Sequence, residues 1–142
     1  MSRMTRQQAN AALVDGVQAD VRASAEVLAL LERQFDAALR HRSSELTNLA
    51  ELLTPLLDAM DARRRERVSL VRALAGEAAT MDGFIATLPE PAQGALKAAW
   101  ADLERTVLAC KEATGRNGQL LAEQYTVMQR VLHGEDDTYA PR

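Results

Sequence analysis

Apolar residues in this chain recur at alternating spacings of three and four, the pattern of helices that bury one stripe against neighbours. The first such segment covers about residues 7–41. Leu13, Val17, Val21, Leu28, Leu31 and Phe35 fall on one face, with Ser24 standing where an apolar residue is due. Gly16 weakens the first turns of this helix by about 1 kcal/mol relative to alanine. The basic group Arg40-His41-Arg42 suits a helix C-terminus, and Ser43 or Ser44 suits the next N-cap, so the chain is expected to reverse near 41–44. A second segment, 44–75, carries Leu46, Leu49, Leu53, Leu56, Met60, Val68, Val71 and Leu74 before the stop at Gly76. Pro55 allows two readings there: a new helix capped by Thr54, or one helix continuing with a kink. The stripe passes Pro55 without losing phase, which favours the continuous helix.

Residues 77–92 read as a connector. Within it Thr80 is placed to cap a short helix over 80–88, whose Met81, Phe84, Ile85 and Leu88 form an apolar plug. Pro89 and Pro91 punctuate the exit, and Pro91 suits the first turn of a following helix. The final segment contains the strongest local turn signal of the chain, Asn117-Gly118 after Gly115, in the stretch EATGRNGQLL. Yet Leu96, Trp100, Leu103, Val107, Cys110, Thr114, Asn117, Leu121, Gln124, Met128 and Val131 step by four and three across it without a slip. A reversal has no reason to preserve that register. One helix over 91–133, about 60 Å long at 1.5 Å per residue, is the simpler reading, ended by His133-Gly134 and followed by a mobile polar tail over 134–142.

Composition agrees with this. Ala and Leu dominate the apolar 47% of 142 residues, aromatic residues make up only 4%, and strand formers are scarce. The expected fold is all-α: one domain over 1–142, built as an antiparallel bundle of three long helices, a coiled-coil-like hairpin plus a long C-terminal helix, with a short connecting helix. A net charge of −3 and a pI near 5.4 provide no footprint for nucleic acid. The basic run Arg63-Arg64-Arg65 with Arg67 reads as a solvated helix face. The single cysteine, Cys110, excludes an intrachain disulfide and fits a reducing compartment. The N-terminus lacks a signal-peptide core and no apolar run approaches the roughly 20 residues of a membrane span, so a soluble cytosolic protein is expected.

Candidate chemistry is sparse. His41 and His133 sit at expected helix ends, where histidine commonly caps or is solvated. The paired Glu-x-x-His arrangement of di-iron bundles is missing, and Cys110 lies on the seam as a small core residue. Phosphate loops and nucleophile elbows are lacking too, so neither an enzyme nor a cofactor or metal site is expected. What stands out is surface. Beyond the polar seam positions Thr114 and Asn117, the apolar residues Leu120, Leu121, Tyr125, Val127, Met128, Val131 and Leu132 cover more than one helix face. They are either buried within the bundle or a homodimer, or they form an amphipathic surface for a partner helix. Gly115 and Gly118 serve either close helix approach or lowered local stability.

The order of these features resembles the FlgN family of flagellar export chaperones. The resemblance rests on LLERQFDAALRHR before the first turn, LTNLAELLTPLLDAMDARRRE in the second helix, the tryptophan-bearing LKAAWADLERTV, and RNGQLLAEQYTVMQRVLHG with the ending TYAPR. It implies a non-enzymatic cytosolic chaperone that binds the C-terminal region of hook-associated proteins at the hook–filament junction. Such a chaperone prevents premature assembly and delivers its clients to the type III export apparatus. The implied client-binding residues are Asn117, Leu120, Leu121, Gln124, Tyr125, Met128, Val131 and Leu132. A structural coiled-coil adaptor that self-associates through the same helix is the alternative.

Overall fold

The computed structural model describes residues 5–139, with side chains described through His133. Four helices follow in order: α1 (Arg6–Leu39), α2 (Ser43–Ala75), α3 (Met81–Ala86) and α4 (Ala92–Tyr139). α1 opens with a capping box in which the Gln8 N–H donates to Thr5 Oγ1 at 3.1 Å and the Thr5 N–H donates to Gln8 Oε1 at 2.8 Å. Two of the orphan donors of the first turn are thereby satisfied.

The reversal into α2 spans residues 40–42. His41 adopts φ 55°, and the Arg42 N–H reaches back to the Ala37 carbonyl at 2.9 Å, closing the last turn of α1. Arg42 then occupies the cap position with no side-chain cap bond, so neither serine caps α2. Ser43 already lies in the first turn, where its carbonyl accepts from Thr47 Oγ1 at 3.2 Å.

α2 continues through Pro55 as one helix. Thr54 does not cap a second one: its hydroxyl donates to the Ala50 carbonyl at 3.0 Å. Glu51, whose carbonyl loses its intrahelical donor to the proline, is exposed, and water can take that place. Gly76 stops the helix at φ 104°, a value that strains any residue with a side chain. Thr80 caps α3 through the Gly83 N–H at 3.0 Å and tips Phe84 and Ile85 into the core.

α1 is the central helix and packs against both α2 and α4, while α3 joins α2 to α4 at the lower end. α2 runs antiparallel to α1. The reversal at α3 sends α4 back parallel to α1. The core divides in two. The lower cluster draws on every element: Leu13 and Val17, Val71, Phe84 and Ile85, and Leu96 and Leu103. The upper cluster is mainly a property of the hairpin, with Val27, Leu30, Leu31 and Ala37 facing Leu49 and Leu53. To it α4 contributes only Ala113, with Cys110 alongside.

Between the clusters lies an ionic belt that revises the solvated reading of the arginine run. Asp20 on α1 is buried and bridges two arginines of α2, accepting from Arg63 Nε at 2.5 Å and Arg67 Nη1 at 2.8 Å. The Arg67 guanidinium also lies 5.4 Å from the centre of the Trp100 ring. Only Arg64 and Arg65 turn outward, towards Asp61. Spacing explains the split, because residues 63 and 67 share a helix face and 64 and 65 do not. Removing the shared carboxylate leaves two guanidinium groups without their buried partner. Asp20→Ala is therefore expected to lower unfolding stability by about 3 kcal/mol, and Arg65→Ala to change it by less than about 0.5 kcal/mol. Urea denaturation followed by circular dichroism checks both.

Candidate client-binding surface

The α1–α4 interface repeats a single register. Cys110 Sγ donates to the Ser24 carbonyl at 3.4 Å, Asn117 Nδ2 to the Leu31 carbonyl at 2.8 Å, and Gln124 Nε2 to the Ala38 carbonyl at 2.8 Å. Donors and acceptors each advance by one heptad, which is the signature of two parallel helices packed in register. Asn117 is the anchor. It is 1% exposed, its amide nitrogen also donates to Gln34 Oε1 at 2.8 Å, and its oxygen accepts from Arg116 Nη2 at 3.1 Å. Arg116 in turn pairs with Glu32 at 3.3 Å and lies 4.0 Å from the centre of the Phe35 ring.

Asn117 is thus not available to a partner, and its place among the expected binding residues is corrected. Its hydrogen-bonding capacity is spent inside the molecule. Leu96, Leu103, Cys110, Asn117 and Gln124 of the expected stripe lie on the packed face, while its alternate positions are corrected by one residue. The face that meets α1 runs through Ala99, Thr106, Ala113 and Leu120, whereas Trp100, Val107, Thr114 and Leu121 lie beside it. Val107 is 44% exposed. Small residues win this line because they let two parallel backbones approach, and a pattern that favours large side chains overlooks them.

α4 passes through Asn117-Gly118 as unbroken helix. A Cβ at Gly115 or Gly118 would meet nothing within 4 Å, so neither glycine serves close helix approach. They lower local helix stability without a packing return. α4 also continues past His133-Gly134, its expected end, to Tyr139. Part of the expected mobile tail is therefore helical, and residues 140–142 lie outside the described residues.

α1 ends at Leu39, which in this register stands opposite Tyr125. Residues 126–139 consequently overhang the hairpin by about 20 Å of helix. Of the expected site residues Met128, Val131 and Leu132 lie on this overhang, and Leu120, Leu121, Gln124 and Tyr125 lie just below it. Tyr125 is 66% exposed and Val131 71%, with Met128, Leu132 and, to a lesser degree, Leu121 also open to solvent. Leu120 and Gln124 are half-buried at the base. Together with Leu39, His41 and Val127 they border an apolar groove of about 520 Å³. Leu39, 51% exposed, was not among the expected site residues. Its sequence position gives no hint that it would floor a groove on α4.

Chemistry elsewhere is muted. Burial pushes the Cys110 thiol above its ordinary pKa, which lowers its thiolate fraction and its reactivity. Among the described residues no group of three or more His, Cys, Asp or Glu is placed to hold a metal ion. No described helix is long and apolar enough to cross a membrane.

A helical bundle that exposes a contiguous apolar helix end is built for binding other protein surfaces. The chain belongs to the FlgN family, whose model, described as FlgN protein, matches residues 4–133, and it is accordingly a flagellar export chaperone. Neither a curated relative nor a solved structure matches the chain.

Asn117→Ala removes the buried anchor and is expected to cost about 1–2 kcal/mol, whereas Val131→Asp on the overhang should change stability by less than about 0.5 kcal/mol. Gly118→Ala should stabilise by about 1 kcal/mol, since the added methyl group meets open space. Denaturant midpoints of the three variants decide the matter. Equal losses for Asn117→Ala and Val131→Asp would mean that the overhang is core.

Proposed function

We propose that this chain acts as one cytosolic chaperone domain that binds the C-terminal region of hook-associated proteins through the α4 overhang. It holds them unassembled and delivers them to the flagellar type III export apparatus. The family assignment supports the export role. The observation that carries the site is the exposed apolar end of α4, where Leu121, Tyr125, Met128, Val131 and Leu132 are open to solvent and the last three lie beyond the end of α1. An amphipathic client helix covers them by anchors at i, i+3, i+4 and i+7, folding as it docks. Buried apolar area offsets the ordering cost at roughly 25 cal/mol per Å². No covalent step or bound cofactor enters this reading.

Co-purification with a hook-associated protein, intact or lacking its C-terminal tail, tests the proposal. Capture is expected only with the tail, and tail-independent capture or none at all would overturn it. Leu121→Asp and Met128→Asp are each expected to abolish capture while the free protein keeps its helical circular dichroism. Unfolding of either variant would place that residue in the core. The rival reading, a coiled-coil adaptor that self-associates through α4, requires a tight dimer burying 120–132. Light scattering across a concentration range separates the two.

A further inference from the structure

The overhang is wider than one helix needs. At about 100° per residue, the apolar side chains of the overhang and of residues 120–125 just below it span an arc of about 160°, from Val127 at one edge to Tyr125 at the other. A core-facing helix commonly presents a stripe of about 100°. The two halves of the arc also have different continuations below. Leu120, Val127 and Val131 extend the face that lower down packs on α1, in the register of the Cys110, Asn117 and Gln124 bonds. Leu121, Tyr125, Met128 and Leu132 extend the line of Trp100 and Val107, which lower down faces α2 across a cleft bordered by Met60 and Arg64. At the lower end of the molecule α4 fills the same width with two neighbours, packing on α1 and α3, while its Trp100 meets Arg67 of α2.

Resting on the reading of the overhang as the client site, we propose that it holds a pair of packed client helices rather than one. One helix takes the place α1 would have if it continued beyond Leu39, with its end against Leu39 and His41 at the floor of the groove. The other lies along Leu121, Tyr125, Met128 and Leu132 and covers the side that points away from α1. The continuity of each line with an interface already made inside the chain is what specifies the occupant. The α1–α4 seam is a finished helix–helix contact, and its heptad continues to Val131 after α1 has ended.

Two residues separate the lines, Val127 on the α1 side and Leu132 on the other, and both are more than half exposed. The probe is the C-terminal region of a hook-associated protein from the same genome, titrated by calorimetry whole and as its separate predicted helices. Against the whole region, Val127→Glu and Leu132→Glu should each weaken binding tenfold or more. Each separate helix should bind more weakly than the whole and respond to only one of the two substitutions. A single helix that matches the affinity of the whole region, or a whole region that responds to only one substitution, would overturn the two-helix arrangement and leave the client site standing. Failure of the region to bind the unaltered chain, or binding indifferent to both substitutions, would instead remove the client-site reading and this inference with it. A stable dimer of the free protein that either substitution dissolves would assign the overhang to a second copy and overturn the proposal equally.

Discussion

The structure depends on the register between two parallel helices, and Asn117 sets it. Two parallel helices with alanine-rich faces can slide by a heptad at little cost in apolar contact. A buried carboxamide cannot, because its donors must find acceptors wherever it stops. Asn117 finds the Leu31 carbonyl and Gln34, and Cys110 and Gln124 reach Ser24 and Ala38 one heptad to either side. Once that offset holds, the end of α1 falls opposite Tyr125, and Val127, Met128, Val131 and Leu132 beyond it on α4 are left open to solvent. This exposed apolar surface is a consequence of unequal helix lengths measured from a fixed register.

The two halves of the bundle are held by different physics. The lower half is an ordinary apolar core fed by four helices, reinforced by the Asp20 belt. In the upper half the apolar core belongs to the α1–α2 hairpin, and α4 rests on it through polar bonds, one alanine and a stacked arginine. Two exposed glycines lower the helix stability of that same part of α4. In its upper half α4 is therefore held by fewer apolar contacts than in its lower half.

Local patterning made much of this legible. Helix order, the stop at Gly76 and the start at Thr80, the continuity of α2 past Pro55 and of α4 past Asn117-Gly118 all follow from period and capping chemistry. Three errors share one cause. Alternate positions of the stripe shifted by a residue, the arginines split between an inward and an outward pair, and Asn117, expected on the seam and also as a binding residue, is wholly buried. In each case the deciding partner lies on another helix, where composition and spacing carry no information. Ala99 and Ala113 look unremarkable in the sequence, yet they pack in the lower and upper clusters respectively.

The all-helical character of this protein and the apolar excess towards its C-terminus are legible in the sequence alone. Those properties are local, set by side-chain period, by caps and by residues that continue or end a helix. Only the tertiary structure decided which excess residues are buried and which remain open. That outcome turns on where α1 stops relative to α4, an offset set by hydrogen bonds between residues that lie far apart in the chain.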